Sequence, residues 1–171
     1  LVITSWSDVS FRLLSDTRGI KKITTFYFHD KTREIMNFYR EGLEEVDYRH
    51  IYSKSKPVDS MRLFLELLPP SVKTLHISPQ YHGDMSPESW IHLCDFLPPT
   101  VKTLTVGASY EVILNRRVLS NLSALVLTTG FKRISVIDCP ELDKKLAKHD
   151  VNIMISEIRR HFPRLSIAIK A

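Results

Sequence analysis

Leu68-Pro69-Pro70-Ser71-Val72-Lys73-Thr74-Leu75 recurs further along the chain as Leu97-Pro98-Pro99-Thr100-Val101-Lys102-Thr103-Leu104, identical except for Thr100 in place of Ser71. Upstream of each copy the likeness continues in weaker form. Ser60 falls over Ser89, Glu66 over Asp95, and Met61, Phe64 and Leu67 over Trp90, Leu93 and Phe96. The repeating object is therefore a whole strand-plus-helix module, and a period of about 29 to 31 residues identifies a repeat architecture.

The same frame extends in both directions. One step forward reaches Leu127-Thr128-Thr129-Gly130-Phe131-Lys132-Arg133-Ile134, and the next reaches Phe162-Pro163-Arg164-Leu165-Ser166-Ile167. One step backwards reaches Gly42-Leu43-Glu44-Glu45-Val46-Asp47-Tyr48. An earlier segment, Gly19-Ile20-Lys21-Lys22-Ile23, has the same local look, but its register stays open because Ile23, Phe26 and Phe28 fit the apolar positions equally well. The expectation is one domain over 1–171 of five to six units, and the start Leu1-Val2-Ile3, without a methionine, reads as a strand end within a longer protein.

Four segments share an apolar-x-x-apolar-x-apolar spacing: Val72, Leu75, Ile77; Val101, Leu104, Val106; Phe131, Ile134, Val136; and Phe162, Leu165, Ile167. The period of two at its end suits a short strand with one buried face. Helices are expected between the strands. Ser86-Pro87-Glu88 combines an N-cap, a proline at the first helical position and an early carboxylate ahead of Trp90, Ile91, Leu93, Cys94 and Leu97. Further helices are expected over 32–41, 58–68 and 150–161. For 122–127 two readings compete, a hairpin strand facing 131–137 through Thr128-Thr129-Gly130, or a helix. The stripe of Val118, Leu119, Leu122, Leu125 and Val126 favours the helix.

Composition excludes several classes. With 171 residues and 43% hydrophobic content the chain can bury a core, which argues against disorder. No apolar run approaches the roughly 20 residues of a membrane span, and the start lacks a signal peptide's basic and apolar regions. The expectation is a soluble chain with no membrane partner. Cys94 and Cys139 are too few for a disulfide framework and not clustered as zinc ligands, which points to a reducing intracellular compartment, cytoplasmic or nuclear. An excess of 24 Lys and Arg over 19 Asp and Glu admits anionic partners without requiring them.

Phe131-Lys132-Arg133-Ile134-Ser135-Val136-Ile137-Asp138-Cys139 resembles the leucine-rich repeat, whose unit has apolar residues at its first, fourth and sixth positions and Asn or Cys at its ninth. The following Pro140-Glu141-Leu142 is similar to the cysteine-containing subfamily of F-box substrate receptors, and the period of the two octapeptides to the ribonuclease-inhibitor type. In the family the ninth side chain satisfies backbone groups in the turn between units. The other ninth positions, Ile51, Gln80, Ser109 and Lys170, depart from the pattern. The resemblance implies an irregular α/β solenoid with short parallel strands on its concave face and helices on its convex face. It also implies a non-enzymatic interaction scaffold or adaptor, or the substrate-recognition part of a ubiquitin-ligase F-box adaptor.

If the strands stack in one parallel sheet about 4.8 Å apart, positions two, three and five form columns on the concave face. Position two reads Glu44, Lys73, Lys102, Lys132 and Pro163; position three reads Glu45, Thr74, Thr103, Arg133 and Arg164; position five reads Asp47, His76, Thr105, Ser135 and Ser166. This face is expected to be acidic at one end and basic at the other. Three stacked lysines suit a protein partner with an acidic or phosphate-bearing segment, yet they are also what duplication of a solvated surface residue leaves behind. The candidate contact residues are Lys73, His76, Lys102, Thr105, Lys132, Arg133, Glu44, Glu45 and Asp47.

Other chemistry finds little support in the sequence. Glu44, Glu45 and Asp47 with Asp30 project from strands rather than from the shaped loop a hard cation needs. His82, His92, Cys94 and Asp84 do not converge, because residues 92 and 94 lie on different faces of a helix. No catalytic or nucleotide-binding motif is present, and no metal, cofactor or catalytic residue is expected. A basic nucleic-acid-binding array is the competing function, drawn from the lysine column with Lys144, Lys145, Lys148, Arg159 and Arg160, but these alternate with Glu141, Asp143, Asp150 and Glu157.

Overall fold

The repeated octapeptide builds a helix stop, a turn and a strand start. In the computed structural model, which describes residues 2–3, 21–25, 42–50, 57–79, 85–107, 109–128 and 130–170, helix α1 spans Pro57–Glu66 and α2 spans Pro87–Phe96. Each ends shortly before its Pro-Pro pair, since a residue preceding proline is pushed out of the helical region. The Val72 amide then donates to the Pro69 carbonyl at 3.0 Å, and the Val101 amide to the Pro98 carbonyl at 3.1 Å. These turns bury Val72 and Val101 and launch strands β4 (Thr74–Pro79) and β5 (Thr103–Val106) in the same phase.

Strands β1 (Val2–Ile3), β2 (Lys22–Thr25) and β3 (Glu45–His50) precede them, and β7 (Ala124–Thr128) and β9 (Ser166–Lys170) follow. All seven form one parallel sheet in the order β1-β2-β3-β4-β5-β7-β9. Glu45 pairs with Thr74, Thr74 with Thr103, Thr103 with Ala124, and Ala124 with Ser166. One hydrogen-bond device recurs where the strands begin. The carbonyls of Lys21, Glu44, Lys73 and Lys102 each accept two amides of the next strand, at 2.8–3.1 Å. Lys22 pairs with Glu45 and Ile23 with Val46, which assigns the register of the first segment to Ile23.

The even spacing stops after β5. Between β5 and β7 the chain forms β6 (Glu111–Leu114) and α3 (Arg116–Asn121), and after β7 come β8 (Arg133–Val136), α4 (Pro140–Leu146) and α5 (Val151–His161). Strands β6 and β8 pair with each other, in parallel, as a separate two-stranded sheet. The Phe131 segment is therefore not a rung of the main sheet. Its amides at Lys132 and Arg133 instead bond the Tyr110 carbonyl, at 2.8 and 3.1 Å.

The rung that follows β5 is β7, so the expected helix over 122–127 is also corrected. Leu125 and Leu127 are buried while Ala124, Val126 and Thr128 are half-buried, an alternation of two. The preceding helix α3 stops at Asn121, and pairing with β5 on one side and β9 on the other satisfies the backbone of β7. The hairpin reading fails as well, because β7 and β8 belong to different sheets. The last segment is displaced from its expected frame. Ser166 rather than Arg164 occupies the third position, because the Leu165 amide closes a turn onto the Phe162 carbonyl at 3.0 Å.

The remaining helices agree with expectation, α1 against 58–68 and α5 against 150–161, while 32–41 lies outside the described residues. Ser86 caps α2 by accepting the Ser89 amide at 3.2 Å, with Pro87 in the first turn. Asn115 caps α3 and Asp150 caps α5 in the same way.

One face of the main sheet carries the core. Val46, Leu75, Leu104, Leu125 and Ile167 form one buried row, and Tyr48, Ile77, Val106 and Leu127 the next. Met61, Phe64 and Leu65 of α1 and Trp90, Leu93 and Cys94 of α2 close over it, with the Tyr48 and Phe64 rings stacked 4.1 Å apart. Val112, Leu114, Ile134 and Val136 extend the same core into the small sheet, beneath Leu142 and Leu146 of α4 and Met154 and Ile158 of α5. Among the described residues no helix is long and apolar enough to cross a membrane.

Candidate protein-interaction surface

Because side chains alternate along a strand, the residues between the core positions share the opposite face of the main sheet. Along it run two rows: Lys22, Glu45, Thr74, Thr103, Ala124 and Ser166, and one level on Asp47, His76, Thr105, Val126 and Ala168. From β3 to β9 these residues are half-buried or exposed. The candidates Glu45, Asp47, His76 and Thr105 are thus brought together on one surface.

The two ends of this surface differ in kind. Toward β2 it is a cluster of matched charges. Lys22 and the His76 imidazole both bear on the Glu45 carboxylate, the latter at 2.6 Å, while Lys21 pairs with Glu44 at 3.2 Å. Burial pushes the Glu45 carboxyl up, but the Lys22 ammonium and the His76 ring outweigh it and hold the group below the usual glutamate range. Toward β9 the same two rows are uncharged, built from Thr103, Thr105, Ala124, Val126, Ser166 and Ala168, and the next level ends in the exposed Lys170. Gly107 allows close approach there, since a β-carbon at that residue would sit 2.7 Å from the Ser78 hydroxyl of the neighbouring strand.

Of the basic end that the pattern predicts, Lys132 and Arg133 are therefore not on this face. Glu44 and Glu45 are neutralised by lysines one strand away, and the basic residues assigned to the far end lie elsewhere. Lys132 sits on the small sheet with its ammonium 5.2 Å from the centre of the Tyr110 ring. Arg133 bridges Glu111 at 3.4 Å and Asp143 at 3.5 Å, tying β6, β8 and α4 together. Ser135 belongs to that network too, donating to Glu111 at 2.7 Å. Only Lys73 and Lys102 remain neighbours among the three predicted lysines. The Lys102 ammonium is engaged by the Asn121 side-chain oxygen at 2.7 Å.

Residues with metal-ligating or nucleophilic side chains are placed separately. Asp30, His82 and Asp84 lie outside the described residues, and among the described residues no three metal-ligating side chains converge. The His92 ring stacks on Phe96 at 5.9 Å. The Cys94 thiol is buried and donates to the Ile113 carbonyl at 3.7 Å, linking α2 to β6. Desolvation pushes its pKa up to about 12, so it stays protonated and packs as a small apolar group. Cys139 stands at the N-terminus of α4, half-buried, without a side-chain cap hydrogen bond.

Three polar residues that the repeat pattern did not single out hold the units together. The Asn121 amide donates to the Pro99 and Val101 carbonyls at 3.2 and 3.1 Å, fixing the preceding Pro-Pro turn. Arg117 donates to the Cys94 and Leu97 carbonyls, satisfying the last turn of α2. Asp138 accepts the Arg116 amide at 2.8 Å at the start of α3. These residues take over the turn-satisfying work that the resemblance assigns to ninth positions. Ser109, which occupies one such position, bonds within its own segment, to the Glu111 carbonyl at 2.7 Å.

No protein-family model, curated protein or solved structure matches the chain.

Proposed function

We propose that the chain is a non-enzymatic protein-interaction module, an irregular leucine-rich-repeat-like solenoid whose open strand face receives a protein partner. The observation that carries this reading is the sheet itself. Among the described residues, seven parallel strands run in sequence order apart from the diversion through β6 and β8, with the core on one side and, from β3 to β9, two rows of half-buried or exposed side chains on the other. A parallel sheet usually has both faces covered, and a face of short Thr, Ala, Val and Ser side chains can be covered by a partner with little loss of side-chain entropy. The docking centre is the uncharged stretch of Thr105, Val126 and Ala168, with Lys73 at its rim as a contact for acidic groups of the partner.

A photo-crosslinker placed at Thr105 tests this in cell extract. The expected result is one dominant protein adduct that Val126→Glu abolishes while the circular dichroism spectrum is retained. Adducts unaffected by Val126→Glu would sink the reading. An F-box receptor role would show ubiquitin-ligase scaffold subunits among the specific adducts. Binding to generic RNA or DNA with a steep salt dependence, and no protein adduct, would favour the nucleic-acid array.

A further inference from the structure

Strand register identifies corresponding residues in neighbouring units. Ala124 of β7 pairs with Ser166 of β9, so Asn121, three residues before the first, corresponds to Pro163, three before the second, and Arg117 likewise corresponds to Arg159. Asn121 and Arg117 close the seam between α2 and α3 by donating to carbonyls of the preceding unit. Their counterparts do not close the next seam. Proline has no donor on backbone or side chain, and Arg159 turns onto the Ile167 carbonyl of its own unit at 2.6 Å.

A pocket of about 270 Å³ stands at that seam, between the end of α3 and the turn into β9. Its walls, α3 ahead of β7 and residues 161–165 ahead of β9, belong to consecutive units, so the gap lies inside the stack rather than at an edge of the sheet. Leu119, Phe162 and Leu165, otherwise buried, give it an apolar floor, and Ser120, His161 and Arg164 give it polar walls. The His161 Nδ1 lies 2.9 Å from the Glu157 carbonyl one turn back, which leaves Nε2 for a ligand. Arg164 has no ion-pair partner among the described residues, and none of the lining residues is a carboxylate. The charge that complements this pocket is therefore negative. Sites for whole small molecules begin at about 300 Å³, so the space suits a single apolar side chain with a charged neighbour at the mouth.

We propose that this pocket is a second docking site, which takes an acidic peptide segment of a partner. One apolar side chain of the segment seats on Leu119, Phe162 and Leu165, and a flanking carboxylate meets the Arg164 guanidinium, a pairing that is charge-assisted and directional. None of the lining residues belongs to the two rows of the open strand face, so the two sites can be occupied independently.

Titration of the isotope-labelled chain with acetyl-Asp-Leu-Asp-amide and acetyl-Asp-Phe-Asp-amide, and with their Asn-for-Asp counterparts, tests the proposal through amide chemical shifts. The aspartate peptides are expected to move the amides of Ser120, Arg164 and Leu165 at millimolar concentration, and the asparagine peptides to bind about tenfold more weakly, the worth of one charge-assisted hydrogen bond. Arg164→Gln should erase that difference, and Ser120→Trp should abolish both sets of shifts by filling the pocket. Val126→Glu should leave them unchanged, which separates this site from the strand face. The proposal is overturned if neither aspartate peptide moves these amides, if the asparagine peptides bind as tightly, or if Arg164→Gln leaves the difference intact. It is equally overturned if inorganic phosphate moves the same amides as much, which marks a plain anion site.

Discussion

The span from β3 to β5 and the span from β5 to β9 use one sheet but solve the return path differently. In the first, Glu45, Thr74 and Thr103 are aligned at equal intervals along the chain, and a helix of ten residues lies between β4 and β5, as another does between β3 and β4. In the second, the interval shortens from Thr103 to Ala124 and then doubles from Ala124 to Ser166. The shorter return holds β6 and the six-residue α3, and a second layer of strand, β6 with β8, fills the depth that a longer helix fills elsewhere. A parallel sheet therefore fixes the spacing of its strands in space and leaves the length of chain between them free, provided something apolar closes the core.

The largest effects should test whether the second layer is as integral as the first. Leu75→Ala in β4 and Leu114→Ala in β6 both remove a side chain with no exposed surface, and each is expected to cost about 2–5 kcal/mol in urea denaturation. A cost under about 1 kcal/mol at Leu114 alone would make the small sheet an appendage. Next, Asn121→Ala strips the Pro99 and Val101 carbonyls of their partner at the seam between the two spans, for an expected loss of about 1–3 kcal/mol. Asn121→Asp should do comparable harm, because a carboxylate cannot donate to those carbonyls.

Smaller changes probe the face itself. Gly107→Ala should cost about 1 kcal/mol by pressing on Ser78, and Ser78→Ala in the same chain should recover most of it, since the nearest atom met is the Ser78 hydroxyl. The smallest effect concerns Glu45. Its carboxyl titrates below the ordinary glutamate value in the folded chain, so its contribution is complete above the unfolded pKa of about 4.3 and disappears as pH falls through the folded value. The contribution should be under about 1 kcal/mol, and Glu45→Gln should flatten that part of the stability profile as the pH is lowered past the unfolded pKa, read by urea midpoints.

The fold was legible where a motif dictated its own hydrogen bonds. Leu-Pro-Pro stops a helix and closes a turn through local contacts alone, so Val72 and Val101 could be phased without knowledge of their neighbours. Ser86-Pro87-Glu88 likewise declared the start of α2. What residue order could not convey was partner choice. Phe131, Ile134 and Val136 carry the same spacing as the main strands and are just as buried, yet whether β8 joins β5 or β6 is decided by tertiary pairing to the Tyr110 carbonyl. The same gap misled the surface columns, since Lys132 and Arg133 inherited their assigned place from that frame. Asp47, His76 and Thr105, placed in one column by the spacing, do pair in register, because they lie on the evenly spaced strands. Asn121 and Arg117 escaped notice because their task depends on reaching an adjacent unit, which leaves no periodic trace.

The twin octapeptides have a consequence for heredity. Excision of the segment from Val72 to Thr100 would join Leu68-Pro69-Pro70-Ser71 directly to Val101-Lys102-Thr103-Leu104. The junction so created has the sequence of the first copy, and the Pro69 carbonyl would meet the amide of Val101 as it now meets that of Val72. Loss or gain of one such unit therefore leaves a native turn at the junction, so the turn itself places no limit on the number of rungs.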